Sequence, residues 1–77
     1  LYFFHLHNDV DAPDSEGLDL DNLESARKFA HRQVRFTAAE TIKEAGHFIG
    51  AHRIDIEDED GTVLDTVYFR DAVKVEA

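Results

Sequence analysis

The order of apolar and polar residues predicts a β-strand, an acidic loop and a short edge strand in the first part of the chain. Residues 2–7 (YFFHLH) are dense in aromatic side chains, which suit a pleated and half-buried surface. Residues 8–17 (NDVDAPDSEG) contain the single proline, a glycine and several acidic residues, a composition typical of a loop. Residues 17–20 (GLDL) alternate in polarity and predict a short edge strand.

A long amphipathic helix is predicted from residue 22 to Ala45. Asp21 can cap its start, Glu24 stands where a capping box requires an acid, and Gly46 follows the last periodic position. At about 100° per residue, one stripe of the helix holds mostly small side chains. Its members are Leu23, Ala26, Ala30, Val34, Thr37, Ala38, Thr41 and Ala45.

The small-residue stripe predicts that the helix lies close against a β-sheet. Small side chains allow this close approach only if the facing surface supplies the bulk of the core. Aromatic side chains of the predicted strands are the candidates for that bulk, namely Phe3, Phe4, Tyr68 and Phe69. We therefore expect a core between one helix and one sheet.

Residues 52–69 (HRIDIEDEDGTVLDTVYF) predict a β-hairpin, whose register depends on its turn. A two-residue turn places the isoleucines of its first strand on one face with Val63, Val67 and Phe69. A three-residue loop with a glycine bulge places them with Leu64, Thr66 and Tyr68 instead. We favour the bulged form, because residues 58–61 (DEDG) fit a type I turn with its glycine in the left-handed conformation.

Together these elements predict an α+β fold. Residues 72–76 (AVKVE) alternate in polarity and could add one more short strand. We expect a small, mainly antiparallel sheet of three to four strands with one long helix packed on one face. Residues 1–77 are expected to form a single domain, because the chain is too short for two cores.

Several of these segments, in this order, resemble a known family. They are YFFHLHND, the D-x-x-G segment Asp14–Gly17, the L-E-x-A-R-x-x-A segment Leu23–Ala30, and an I-x-I-x-D-E-x-G hairpin closed by V-x-F. The pattern resembles a family of short uncharacterised bacterial proteins, a domain of unknown function common in rhizobia and related alphaproteobacteria. The resemblance covers nearly the whole chain. It implies an α+β fold and a bacterial cytoplasmic setting, and it assigns no activity and no catalytic residue.

Composition narrows the classes of function. The chain has no cysteine, which excludes disulfides, thiolate zinc sites and thiol nucleophiles and fits a cytoplasmic location. The formal net charge of −9 makes nucleic acid an unlikely partner and disfavours an anionic membrane, because phosphate groups are bound mainly by Lys and Arg. We expect neither a membrane span nor a secretory signal, since the sequence has no suitable apolar run.

The two histidines of the first predicted strand are the weak candidates for a metal site. His5 and His7 share one face of an extended strand, and Asp9 follows two residues later. These residue types bind Zn²⁺, but no standard ligand spacing is present, and the acidic loops do not fit the spacing of a calcium loop. We therefore expect no metal and no cofactor. No catalytic motif is recognisable, so we do not expect an enzyme.

The predicted helix carries the candidate interface. The helix also has a basic surface outside the small-residue stripe, formed by Lys28, Arg32, Arg35 and Lys43. It is either an ordinary solvated face or a contact surface, and as a contact surface the net charge favours an acidic patch of another copy over nucleic acid. Phe29 and Phe36 lie seven residues apart on one flank of the helix. Both alternatives stay open for them, an extension of the core or a dimer contact.

The sequence thus predicts a small non-enzymatic protein-interaction module that forms a homodimer, with its sheet edges and the flank of the helix as contact surfaces. Its candidate interface residues are Phe29, Phe36, Arg32 and Arg35. One alternative is an antitoxin-like regulator that binds a basic protein partner through the acidic loops. A further alternative is a small metal-binding protein that uses His5 and His7.

Overall fold

The computed structural model describes residues 1–8 and 11–73, and these form one antiparallel sheet with a long helix on one face. The elements, in chain order, are β1 (Phe3–His7), α1 (Leu23–Ala45), β2 (Arg53–Glu57), β3 (Val63–Tyr68) and α2 (Phe69–Ala72). The strands lie in the order β1-β2-β3, and both neighbouring pairs are antiparallel. The predicted α+β fold, with one long helix packed on a small antiparallel sheet, is confirmed.

Helix α1 begins one residue later than the capping prediction placed it. The N-cap is Asn22, whose side-chain Oδ1 accepts the backbone N–H of Ser25 at 2.9 Å. The predicted cap at Asp21 is therefore wrong, and with it the capping box formed with Glu24. The end of the helix is as predicted, because Gly46 adopts the left-handed conformation (φ 79°) that closes many helices.

The core lies between α1 and the sheet. The middle of the predicted stripe is fully buried, while Leu23, Thr37 and Thr41 are half-buried and Ala45 is exposed. The buried members of the core are Ala26, Ala30, Val34 and Ala38 from the helix, and Ile54, Ile56, Val67, Phe69 and Ala72 from the opposite side. The prediction that small helix residues face bulkier sheet residues is thus confirmed for the centre of α1.

Only two of the four predicted aromatic side chains contribute bulk beneath the helix. Phe69 is buried and Phe4 packs against the core. Phe3 and Tyr68 lie on the opposite face of the sheet, because side chains alternate along a strand and their neighbours Phe4 and Val67 face the helix.

The turn of the hairpin has the predicted chemistry. The Gly61 N–H donates to the carbonyl oxygen of Asp58 at 3.1 Å, and Gly61 adopts a positive φ of 82°. Beyond the turn, the Asp58 N–H donates to the carbonyl oxygen of Thr62 at 3.0 Å. The three-residue loop, residues 59–61, is therefore the one observed.

A second irregularity reverses the faces of β3. Glu57 pairs with Val63, so a regular ladder would pair Ile56 with Leu64 next, but Ile56 pairs with Asp65 instead. Leu64 is consequently the extra residue of a β-bulge, and every later residue of β3 moves to the other face.

The favoured register prediction is therefore wrong. Ile54 and Ile56 share the helix-facing surface with Val67 and Phe69, rather than with Leu64, Thr66 and Tyr68. The predicted turn is present, but the bulge shifts the pairing of β3 by one residue. The side chains that the turn alone would place on one face of β3 therefore lie on the other.

The free edge of β1 is covered by the acidic loop. Tyr2 and Leu18 exchange backbone hydrogen bonds of 2.9 and 2.8 Å, and Leu6 and Ala12 exchange bonds of 3.1 and 2.9 Å. The predicted edge strand at residues 17–20 is thus a single bridge at Leu18 rather than a strand. This loop shields an edge that would otherwise be open to pairing with another chain.

The chain beyond β3 turns into a short helix. Ala72 belongs to α2, so the predicted strand at residues 72–76 is wrong at its start, and residues 74–77 lie outside the described part. Arg35 of α1 donates from Nε to the Ala72 carbonyl oxygen at 3.1 Å. This hydrogen bond ties the end of α2 to the long helix.

Candidate functional site

The side of α1 that faces away from the sheet carries a mixed apolar and charged surface. We call it the outward surface of α1, and its residues are Lys28, Arg32, Phe36, Glu40 and Lys43, all of which are exposed. Phe36 lies near the middle of the helix and is 66% exposed. An aromatic side chain left so open on a small protein is a candidate contact with another molecule.

Phe29 and Phe36, which the sequence could not distinguish, lie in different environments. The Phe29 ring is half-buried and its centroid lies 4.7 Å from that of Phe4, with a tilt of 55° between the rings. Phe29 therefore extends the core toward β1, as one of its two open alternatives predicted. Phe36, one helical heptad later, is exposed beside it.

The basic residues of the helix divide between internal and exposed roles. Lys28, His31, Arg32 and Arg35 line a shallow depression on the flank of α1. Arg35 uses its Nε to hold Ala72, so its side chain has a structural partner. Arg32 is exposed, and its guanidinium carbon lies 6.0 Å from the centre of the Phe29 ring. Arg32 is therefore free to swing toward a partner while staying close to an aromatic ring.

The charges of the outward surface are separated along the helix. Lys28 and Arg32 precede Phe36, and Glu40 follows it. Lys43 is the exception in the second half, where its Nζ lies 3.8 Å from the Glu40 Oε1. The surface is thus basic before Phe36, and after it holds a carboxylate next to an ammonium group.

The two histidines of β1 lie on the sheet face opposite the helix. Their spacing along the strand predicted that they share one face. His7 lies between two carboxylates, with Nδ1 3.4 Å from the Asp11 Oδ1 and Nε2 3.1 Å from the Asp55 Oδ2. His5 has its Nε2 3.6 Å from the Glu57 Oε1. Both imidazole rings therefore have acidic neighbours within the domain.

Asp55 is the centre of the polar network on this face. It is only 8% exposed. Its Oδ1 accepts the Thr66 hydroxyl at 2.8 Å and the Arg53 Nε–H at 3.3 Å, while its Oδ2 faces His7. A buried carboxylate is stable when its oxygens are hydrogen-bonded in this way. Asp55 thus links all three strands, a role that sequence reasoning missed.

The metal candidate formed by His5, His7 and Asp9 is only partly described, because Asp9 lies outside residues 1–8 and 11–73. Within those residues, no group of three or more His, Asp or Glu side chains is placed to hold a metal ion. The His5 Nδ1 accepts the backbone N–H of Asp14 at 3.0 Å, so this nitrogen is already used.

Asp14 holds the acidic loop against the edge of β1. Its Oδ2 accepts the Phe4 N–H at 3.2 Å, and its Oδ1 accepts the N–H groups of Glu16 and Gly17, each at 3.1 Å. Partial burial by itself raises the pKa of Asp14, but the three backbone donors outweigh it and leave that pKa below its ordinary value. At this edge of β1, the Asp14 carboxylate therefore accepts the Phe4 N–H, which a neighbouring strand would otherwise accept.

Comparison with protein families adds one result to this geometry. A family described as "Domain of unknown function (DUF6894)" matches residues 1–70. The chain belongs to this family. The resemblance to a domain of unknown function is thereby confirmed, while neither the curated proteins nor the solved structures include a match. In the described part of this DUF6894 domain, no helix is both long and apolar enough to cross a membrane.

Replacing Asp14 by asparagine should destabilise this DUF6894 domain at pH 7. An amide supplies one acceptor oxygen instead of two and turns an N–H donor toward Phe4 or Gly17. We expect a loss of about 1–2 kcal/mol in the free energy of unfolding, allowing for the partial exposure of the site. Urea unfolding followed by circular dichroism measures the difference, with the exposed Asp19→Asn as a control for the lost charge.

The same pair of proteins should show a pH dependence. Because the pKa of Asp14 is lowered on folding, its stabilising effect is present above the unfolded pKa, about 3.9, and is lost as the pH falls through the folded pKa. The stability gap between wild type and Asp14→Asn should therefore shrink below about pH 4. An equal difference in the free energy of unfolding at pH 3 and pH 7 would show that the charge of Asp14 does not stabilise the fold.

Proposed function

We propose that this DUF6894 domain is a non-enzymatic protein-interaction module of the bacterial cytoplasm, and that it forms a homodimer through the outward surface of α1. The observation that carries the proposal is the exposure of Phe36 at the centre of a surface that also holds charges of both signs. Dimer interfaces commonly combine a central aromatic anchor with a polar rim.

The energetic gain from covering Phe36 favours association. Transfer of a phenylalanine side chain out of water contributes about 1.5–3 kcal/mol. A twofold-symmetric contact would bury the ring of each copy against the other, so the gain is obtained twice in one dimer. The surrounding charged side chains then keep the contact soluble when the copies separate.

The sheet edges contribute less to this proposal than the helix does. The loop at residues 12–18 already bonds to the edge of β1 through Leu6 and Tyr2. At β3, the Asp65 Oδ1 accepts the backbone N–H of Thr66 at 2.8 Å, which removes a donor that a further strand would need. Both edges thus have features that oppose pairing with another chain.

Charge supports a protein partner rather than a nucleic acid. The basic residues of α1 lie on a molecule whose formal net charge is −9, so a polyanion meets overall repulsion. A second copy carries the same net charge, but it offers carboxylates close to the basic residues together with an aromatic ring that can cover Phe36. Asp14 and Asp58 of the acidic loops already accept backbone N–H groups within their own loops, which leaves them less available to a basic partner.

Replacing Phe36 by aspartate should separate the dimer. The two new carboxylates, one from each copy, would have to be buried against each other, and the aromatic contact would be lost. We expect the dissociation constant to rise at least about tenfold, a conservative value for the loss of a central aromatic anchor. Sedimentation equilibrium over a concentration series measures the constant.

The matched control is Val63→Asp, which introduces the same charge at a position that is 51% exposed on the hairpin. It should leave the dissociation constant within a factor of about three, as for a surface change outside the contact. A wild-type protein that stays monomeric at high micromolar concentration would contradict the proposal. So would a Phe36→Asp variant that dimerises as well as the Val63→Asp control.

A further inference from the structure

We infer that the two copies pair their α1 helices in antiparallel orientation about a twofold axis at Phe36, with Arg32 of each copy against Glu40 of the other. This inference rests on the proposed function and specifies the geometry of the same surface. It follows from the order of charges along α1, which is reversed about Phe36.

Symmetry decides which residues meet. When two identical helices cross antiparallel on a twofold axis, residues equally far from the axis in sequence lie opposite one another. Arg32 lies one helical turn before Phe36, and Glu40 lies one turn after it. The twofold axis therefore places Arg32 of each copy beside Glu40 of the other, and this pair occurs twice.

Exposure allows this pair to form. Because Arg32 and Glu40 are both exposed, they can meet across the twofold axis without rearrangement of the fold.

The antiparallel arrangement also explains the position of Lys43. Phe29 and Lys43 lie equally far from Phe36, so the ammonium group of each copy approaches the Phe29 ring of the other. Aromatic rings attract cations over their faces. The Phe29 ring already lies 6.0 Å from the guanidinium of Arg32 in its own copy, so its environment suits a cation.

The alternative orientation is disfavoured by the same charges. In a parallel pair, each residue would lie near its own equivalent, so Arg32 would face Arg32 and Glu40 would face Glu40. Like charges at close range repel, and this repulsion acts as a selection against the parallel form. The charges of two α1 helices are thus complementary only when the helices are antiparallel.

Charge reversal at the paired positions tests the orientation. Arg32→Glu and Glu40→Arg should each weaken dimerisation at least about fivefold, because each creates two like-charge contacts per dimer. The double variant Arg32→Glu/Glu40→Arg restores opposite charges and should return the dissociation constant to within about threefold of wild type. Sedimentation equilibrium measures all four proteins, and circular dichroism verifies that each retains its helix.

The control is Glu59→Arg in the hairpin turn, whose side chain is 69% exposed. It changes the net charge by the same amount as Glu40→Arg, so the reduced net repulsion between copies should leave association unchanged or slightly stronger. Weaker association of Glu40→Arg therefore reports a local contact.

The possible outcomes separate this inference from the proposed function. If Phe36→Asp abolishes the dimer but Glu40→Arg behaves like Glu59→Arg, the antiparallel pairing is wrong and the interface at Phe36 stands. If both single reversals weaken the dimer and the double variant does not recover, the Arg32–Glu40 pairing is likewise overturned. If wild type does not dimerise, both proposals fail.

Discussion

Replacing Phe69 by alanine should lower the free energy of unfolding by about 3–5 kcal/mol, the usual cost of removing a large aromatic side chain from a core. Phe69 is 1% exposed and is among the largest fully buried side chains in the described residues. Its ring also lies nearly perpendicular to that of His52, with ring centroids 5.7 Å apart. Alanine would leave a cavity beneath α1 and remove this ring contact.

The loss is large relative to the stability of a small domain. Native proteins are stabilised by about 5–15 kcal/mol, and a chain of 77 residues is expected near the lower end. Phe69→Ala should therefore lower the melting temperature strongly or leave the chain partly unfolded at 25 °C. Urea unfolding under monomeric conditions gives the value, with the 51% exposed Val63→Ala as control. A loss below about 1 kcal/mol would contradict the burial of Phe69.

Replacing Ala30 by leucine should destabilise the domain by about 2–3 kcal/mol, in the range measured for overpacked cores. Ala30 is fully buried at the centre of the stripe that faces the sheet. The larger side chain can be accommodated only if α1 moves away from the sheet or adopts strained rotamers, since protein cores contain little free volume. The helix would then lose contacts along its whole buried face.

Ala39→Leu provides the matched control for this substitution. Ala39 lies on the same helix and is exposed in the single chain, so under monomeric conditions the same added volume meets water rather than the sheet. We expect a change within about 0.5 kcal/mol there, as for surface positions in general. Equal stability of the two leucine variants would show that α1 does not lie as close to the sheet as described.

The contrast between these alanines shows which parts of the fold can be predicted from the sequence. Helical periodicity placed Ala30 in the core, because the spacing of small residues follows directly from the geometry of α1. It could not place Ala45, which belongs to the stripe by angle but lies beyond the sheet that the stripe covers. The extent of the opposing surface is a tertiary property.

The hairpin shows a second limit. The DEDG sequence was sufficient to predict the three-residue loop, and Gly61 adopts the left-handed conformation expected of it. The bulge at Leu64 has no comparable local signature, yet it decides which face of β3 is buried. Burial of Val67 and Phe69 under α1 favours the shifted pairing over the regular one.

The candidate site was predictable in part. The sequence identified Phe29 and Phe36 as a pair outside the stripe, but only the position of Phe4 shows that Phe29 is covered and Phe36 is exposed. The role of Asp14 had a local signal, an aspartate followed three residues later by a glycine that adopts a positive φ. Asp55 had none, because its contact with His7 depends on strand pairing.

The most direct test of the dimer interface uses the unmodified protein. An isotope-filtered NOE spectrum of an equal mixture of ¹³C-labelled and unlabelled chains detects only contacts between copies. The twofold pairing of α1 predicts intermolecular NOEs from the Phe36 ring to residues of the same helix, including Ala39 and Phe36 itself. Intermolecular NOEs confined to another surface would contradict this pairing. So would the absence of intermolecular NOEs at concentrations where the measured molar mass exceeds the 8.8 kDa of one chain.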